Sequence, residues 1–101
     1  MKAKEFSVAT GGAFEINRIE IDGNRAAILD VRCIEGTVRV GDRVIKGRTG
    51  NGDDVQVDLV IDGLLRYGRA SEFVDPPHVA RIRLSGQGIR DVMGFSVMHT
   101  S

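Results

Sequence analysis

Thirteen glycines against two prolines divide the chain into segments too short for helices but long enough for strands. Turn signals recur at Gly11-Gly12, Asp22-Gly23-Asn24, Gly36, Gly41-Asp42, Gly47 to Gly52, Asp62-Gly63, Gly68, Pro76-Pro77, Gly86-Gln87-Gly88 and Gly94. The runs between them are rich in Val and Ile. Short strands at such spacing mark an all-β sandwich or barrel.

Alternation supports strands over helices. Val55, Val57, Leu59 and Ile61 fall on one face, opposite Gln56, Asp58 and Asp62. Ala80, Ile82 and Leu84 oppose Arg81, Arg83 and Ser85, and Ala27, Leu29, Val31 and Cys33 oppose Asp30 and Arg32. This is the period of two expected of half-buried strands. Phe14 and Ile16 share a face, but the next apolar pair is Ile19 and Ile21. Keeping all four inside requires an extra residue at Asn17-Arg18, a bulge that bends the strand as barrel closure demands. Strands are expected near 5–9, 13–21, 25–34, 43–46, 55–66, 79–85 and 95–98. Lys46 to Asp54 reads as a loop, and at most a turn or two of helix fits near Gly68 to Phe73 or Ile89 to Met93.

Composition narrows the function classes. At 101 residues the chain is one domain, and 42% hydrophobic with 28% charged residues is ordinary for a globular protein. Fourteen Lys+Arg balance fourteen Asp+Glu, so no global field draws it to nucleic acid or anionic membrane. A single cysteine excludes an intramolecular disulfide and a multi-cysteine zinc cage. With no apolar targeting region behind Met1 and no run approaching a membrane span, a cytoplasmic protein is expected.

No catalytic constellation emerges. The loop Gly47 to Gly52 lacks the Gly-Lys-Ser/Thr of a phosphate-binding loop, and Asp53-Asp54 place negative charge where a phosphate would sit. Asn51, Asp53 and Asp54 lack the further ligands of a calcium loop, so no metal is expected. Cys33 faces the core, while His78 follows a Pro-Pro turn and His99 lies near the C-terminus, so a Cys–His pair is not expected. Asp30 interrupts an apolar run, which outward placement explains. Eleven of the fourteen basic residues are Arg. Arg81 and Arg83 project from one face of one strand and are the candidate partner-binding residues, since paired guanidinium groups fork onto phosphate or carboxylate. The ordinary alternative is cross-strand pairing with acids such as Asp58 and Asp62. Aromatic residues, four Phe and Tyr67, stand mostly in core-like contexts.

The order of segments resembles a known family. Ile19-Glu20-Ile21-Asp22-Gly23, Ala27-Ile28-Leu29 and Glu35-Gly36-Thr37-Val38-Arg39-Val40-Gly41-Asp42-Arg43-Val44 resemble the second domain of translational GTPases such as elongation factor Tu. Val79 to Gly86, Ile89 and Met93-Gly94-Phe95-Ser96-Val97-Met98 are similar to that domain's last two strands. The resemblance covers about residues 14–98 and implies a small closed antiparallel barrel of six or seven strands with Greek-key connections. It marks Gly36, Gly41, Asp42 and Gly94 as structural turn residues. It carries over neither a GTPase domain nor GTP binding. The expected function is a non-catalytic, stand-alone binding module without cofactor or membrane association, its partner another protein that it serves as adaptor or inhibitor (immunity-like). A ribosome- or RNA-associated module is the alternative, and a small-molecule binder or enzyme the third reading.

Overall fold

The computed structural model describes residues 11–23 and 25–101, so the strand expected over 5–9 lies outside the described residues. Nine strands follow in chain order: β1 (Ala13–Asp22), β2 (Ala26–Glu35), β3 (Val38–Arg39), β4 (Arg43–Thr49), β5 (Asp54–Arg66), β6 (Arg69–Ala70), β7 (Phe73–Val74), β8 (Val79–Gln87) and β9 (Phe95–Thr100). A 3-10 segment, Ile89–Gly94, joins β8 to β9.

Six strands close into an antiparallel barrel. The order β4-β9-β1-β2-β8-β5 returns to its start through a β4–β5 pairing, and β6 adds to the outside of β5. Strands β4, β5 and β8 are neighbours in that order, and β9, reached through the 3-10 segment, lies beside β4, the strand arrangement of a Greek key. The short β3–β7 ribbon forms a second sheet.

The alternating residues fill this barrel as their period dictates. Leu29, Leu59, Ile61, Ile82, Leu84, Phe14 and Met98 are fully buried, joined by Ala27, Val31 and Cys33 from β2. Val38 and Val74 of the ribbon, with Ile89 and Val92 of the 3-10 segment, complete the cluster from beyond the barrel strands. The extra residue in β1 is Asn17: Ile16 faces Val31 and Arg18 faces Asp30. It keeps Ile16 and Ile19 both against the core, whereas Ile21 ends up largely exposed. A second bulge occurs at Asp62, between the pairs Ile61–Leu84 and Gly63–Arg83. It returns Leu64 to the interior one residue out of phase with Ile61.

The stretch Lys46 to Asp54 differs from the expected loop. Strand β4 continues to Thr49, leaving a connection closed by Thr49 N–H donating to Asp53 O at 2.8 Å and Gly52 N–H to Thr49 O at 3.0 Å. Gly47 persists inside this strand because the Phe95 ring packs directly over it. A Cβ there would lie 2.2 Å from the ring. Residues near Gly68 to Phe73 form β6 and β7 instead of helix, while Ile89 to Met93 does lie within the 3-10 segment.

The turn before β4 depends on backbone conformation. Gly41 sits at φ +95°, Asp42 Oδ2 accepts from Arg39 N–H at 2.9 Å, and Gly41 N–H donates to Ile61 O at 2.7 Å. A Cβ on Gly41 would touch nothing, so only backbone strain opposes substitution. Gly41→Val is expected to destabilise by about 1–3 kcal/mol in chemical denaturation. An unchanged midpoint would show that the turn relaxes without loss. Gly36 is tighter still: it takes φ +63°, and a Cβ would lie 2.5 Å from Gly11 O. Gly94 ends the 3-10 segment with open space around it.

Candidate functional site

The residues expected to bind a partner, Arg81 and Arg83, do project outward from β8, but neither guanidinium is left alone. Cross-strand register places Arg81 opposite Asp30 of β2, and Arg81 Nε donates to Asp30 Oδ1 at 2.8 Å. The hydrogen bond from Arg81 holds the Asp30 carboxyl below its ordinary range. Arg83 donates to Asp62 Oδ2 at 2.5 Å, and Ser85 Oγ donates to the same oxygen at 2.8 Å. Asp62 is one of the two acids that the sequence offered for cross-strand pairing. Asp58, the other acid considered, pairs instead with Arg43 of β4. Arg48–Asp54 and Arg32–Glu15 continue the pattern of cross-strand ion pairs. These pairs neutralise the outer wall locally, and each exposed one adds little stability.

Cys33 and His78 meet only through their backbones, where Cys33 N–H donates to His78 O at 2.9 Å. The Cys33 side chain is wholly buried, its thiol 3.4 Å from Gly36 O, and burial pushes its pKa up. The His78 ring instead lies against Asp75, with Nδ1 3.3 Å from Oδ1. His99 sits on β9 between β1 and β4, where burial first, then the nearby Lys46 and Arg48, lower its pKa. A thiol-specific reagent should therefore label native Cys33 slowly and the denatured chain rapidly. Immediate labelling of the native protein would contradict its burial. Among the described residues, no group of three or more His, Cys, Asp and Glu side chains comes together to hold a metal. No helix of the described chain is long and apolar enough to cross a membrane.

The most distinctive surface feature lies where β5 outruns the barrel. Beyond Leu64, β5 folds back into β6 through the two-residue turn Tyr67-Gly68, with Arg66 directly opposite Arg69. Both turn residues have positive φ, +54° and +78°, as a type I′ hairpin demands. Glycine accepts this freely, whereas tyrosine is a bulky residue in a region that normally favours Gly, Asn or Asp. Among the described residues Tyr67 is the sole non-glycine with positive φ, and it is 82% exposed.

Leu65 lies opposite Arg81 on the outer face, and it lines one groove with Tyr67 of the turn and Val79 of β8. Leu65 is 40% and Val79 41% exposed. With Asn17, Asp30 and Arg81 they line an open groove of about 490 Å³. Its far wall is Asn17, the bulged residue of β1, so the sequence feature that bends the strand also shapes the groove. Another groove of about 460 Å³ lies at the opposite end of β8, between Arg25, Gly88 and Arg90, and has no exposed aromatic. Sequence reasoning placed Arg81 at the site but, reading the aromatic residues as mostly core-like, did not single out Tyr67. The signal for its true position was present: Arg-Tyr-Gly-Arg is a polar, glycine-containing turn between an apolar strand and a short return.

Compared with known proteins, the sequence matches no family model and no curated protein. The barrel is a fold common to many functions, so the site itself must carry the functional reading.

Proposed function

We propose that this barrel is a non-catalytic protein-binding module, acting in the cytoplasm as an adaptor or inhibitor, and that the Tyr67 hairpin with its adjoining groove is its docking surface. The observation that carries this reading is Tyr67 itself. A backbone strain of about 1–2 kcal/mol is tolerated there to hold an aromatic side chain out in solvent. Strain kept at an exposed position points to use. Tyrosine and arginine are the residue types that dominate binding energy at protein interfaces, and Leu65 and Val79 add apolar area around the anchor. The antiparallel barrel also supports kinship with the second domain of translational GTPases, without identifying it. That kinship is a proposal resting on the segment order from Ile19 to Met98.

The reading is tested by placing a photo-crosslinking residue at position 67 and, as a control, at position 56 of the far half of β5, in extracts of cells that make the protein. A discrete protein adduct from position 67 alone is expected. Equal adducts from both positions, none at all, or an adduct removed by ribonuclease would each overturn it.

Tyr67→Asn supplies an independent check. Asparagine accepts the left-handed conformation, so the variant should be more stable than the parent by about 1 kcal/mol in thermal denaturation while losing the partner. A lower midpoint would mean that Tyr67 supports the fold, and the reading would lose its basis.

A further inference from the structure

We infer that the partner surface recognised by this hairpin is an acidic protein segment carrying an apolar side chain. The inference rests on the docking surface proposed above and concerns what that surface selects.

The two faces of the hairpin differ in chemistry. Leu65 and Tyr67 belong to the groove face. Arg66 and Arg69 stand directly opposite each other across the β5–β6 ladder, so their side chains share the other face. Like charges in that position repel. Neither arginine forms an ion pair with any described residue, a state they share with Arg18, Arg25, Arg39 and Arg90, whereas Arg32, Arg43, Arg48, Arg81 and Arg83 are each matched to a carboxylate. Arg66 also buries its Nε without a hydrogen-bond partner among the described residues. A chain with zero net charge thus places two cations, unmatched among the described residues, directly opposite each other beside the Tyr67 turn. A carboxylate seated between Arg66 and Arg69 would relieve the repulsion and accept charge-assisted hydrogen bonds from both. An apolar neighbour in the same segment would reach over Tyr67 to Leu65 and Val79.

The alternative polyanion, single-stranded RNA, fits less well. Tyr67 is the only aromatic lining the groove, which also contains Asp30 and adjoins Glu20, and these carboxylates would repel successive phosphates. Arg81 is the only basic residue among those lining the groove, whereas one carboxylate needs only the two guanidinium groups of the hairpin.

The test uses the full chain labelled with ¹⁵N and four probes: blocked Glu-Glu-Leu-Glu-Glu, Gln-Gln-Leu-Gln-Gln, Glu-Glu-Ser-Glu-Glu, and an oligouridine RNA. The acidic leucine peptide should shift the amides of Leu65 to Ala70 and Val79 saturably. Its affinity should exceed that of either other peptide at least about threefold, the span of one or two exposed charge pairs, and should fall with added salt. The R66Q/R69Q double variant should keep its parent's thermal midpoint or exceed it, and bind both leucine peptides alike. Equal binding of the neutral leucine peptide to the parent, absence of saturable shifts, or stronger shifts of the same amides by RNA would each overturn the inference. If crosslinking at position 67 captures a protein while all three peptides fail, the docking reading stands and the acidic-segment inference falls.

Discussion

Ile82→Ala is expected to lower the free energy of unfolding by about 2–5 kcal/mol, the range for deleting a large buried side chain from a core that cannot collapse around it. Ile82 is at the centre of β8, pairing with Leu29 on one side and Leu64 on the other, and its side chain is fully buried. Arg81→Ala and Arg83→Ala, one residue away on either side, should each change stability by less than about 1 kcal/mol, because both lose only exposed ion pairs. Urea denaturation of the three variants measures the contrast directly. A mild Ile82→Ala beside a severe Arg81→Ala would place the arginines inside the barrel and reverse the facing of β8.

Gly86→Ala should cost roughly 2–6 kcal/mol, from a strained backbone and an overpacked contact acting together. Gly86 pairs with Leu59 near the end of β8 at φ +134°, a conformation that L-residues rarely adopt. An added Cβ would lie 2.6 Å from Asp58 O and 3.2 Å from the Leu59 Cα, both backbone atoms with no rotamer to escape through. Gly50→Ala is the matched control, because a Cβ there meets nothing and its φ is unstrained. Similar thermal midpoints for the two variants would mean that β8 can slide away from β5 at this point.

What was legible in the sequence was whatever a period of two can express. Ala80-Arg81-Ile82-Arg83-Leu84 and Ala27 to Cys33 alternate without interruption, so their faces followed from spacing alone. The bulge at Asn17 was readable because it falls between two clear apolar pairs. The bulge at Asp62 left the same trace, Ile61 and Leu64 three positions apart, but the intervening Asp-Gly resembles an ordinary turn. Gly47 misled for a different reason. A glycine beside charged residues looks like loop, and only the distant Phe95, forty-eight positions on, explains why it belongs in a strand. The ribbon β3–β7 and strand β6 are two residues each, too short for any periodicity to register. At the candidate site, Arg81 was visible as part of an alternating strand. Its capture by Asp30, and the display of Tyr67, depend on β2 and β5 being brought to opposite sides of β8, which is a matter of topology.

The position of β9 has a consequence for how the protein is made. It joins β1 to β4, so one seam of the barrel is open until β9, the last of the described strands in chain order, arrives. At about 5–20 residues per second, the roughly eighty residues between the end of β1 and the end of β9 take several seconds to emerge. During that interval the nascent chain can assemble at most a five-stranded sheet with β1 and β4 as raw edges, both offering unpaired backbone to other chains. A product truncated before Phe95 would be held in that open form permanently and should be found with chaperones or in aggregates. Closure of the barrel therefore waits on β9, and until it pairs, β1 and β4 are the two edges exposed to other chains.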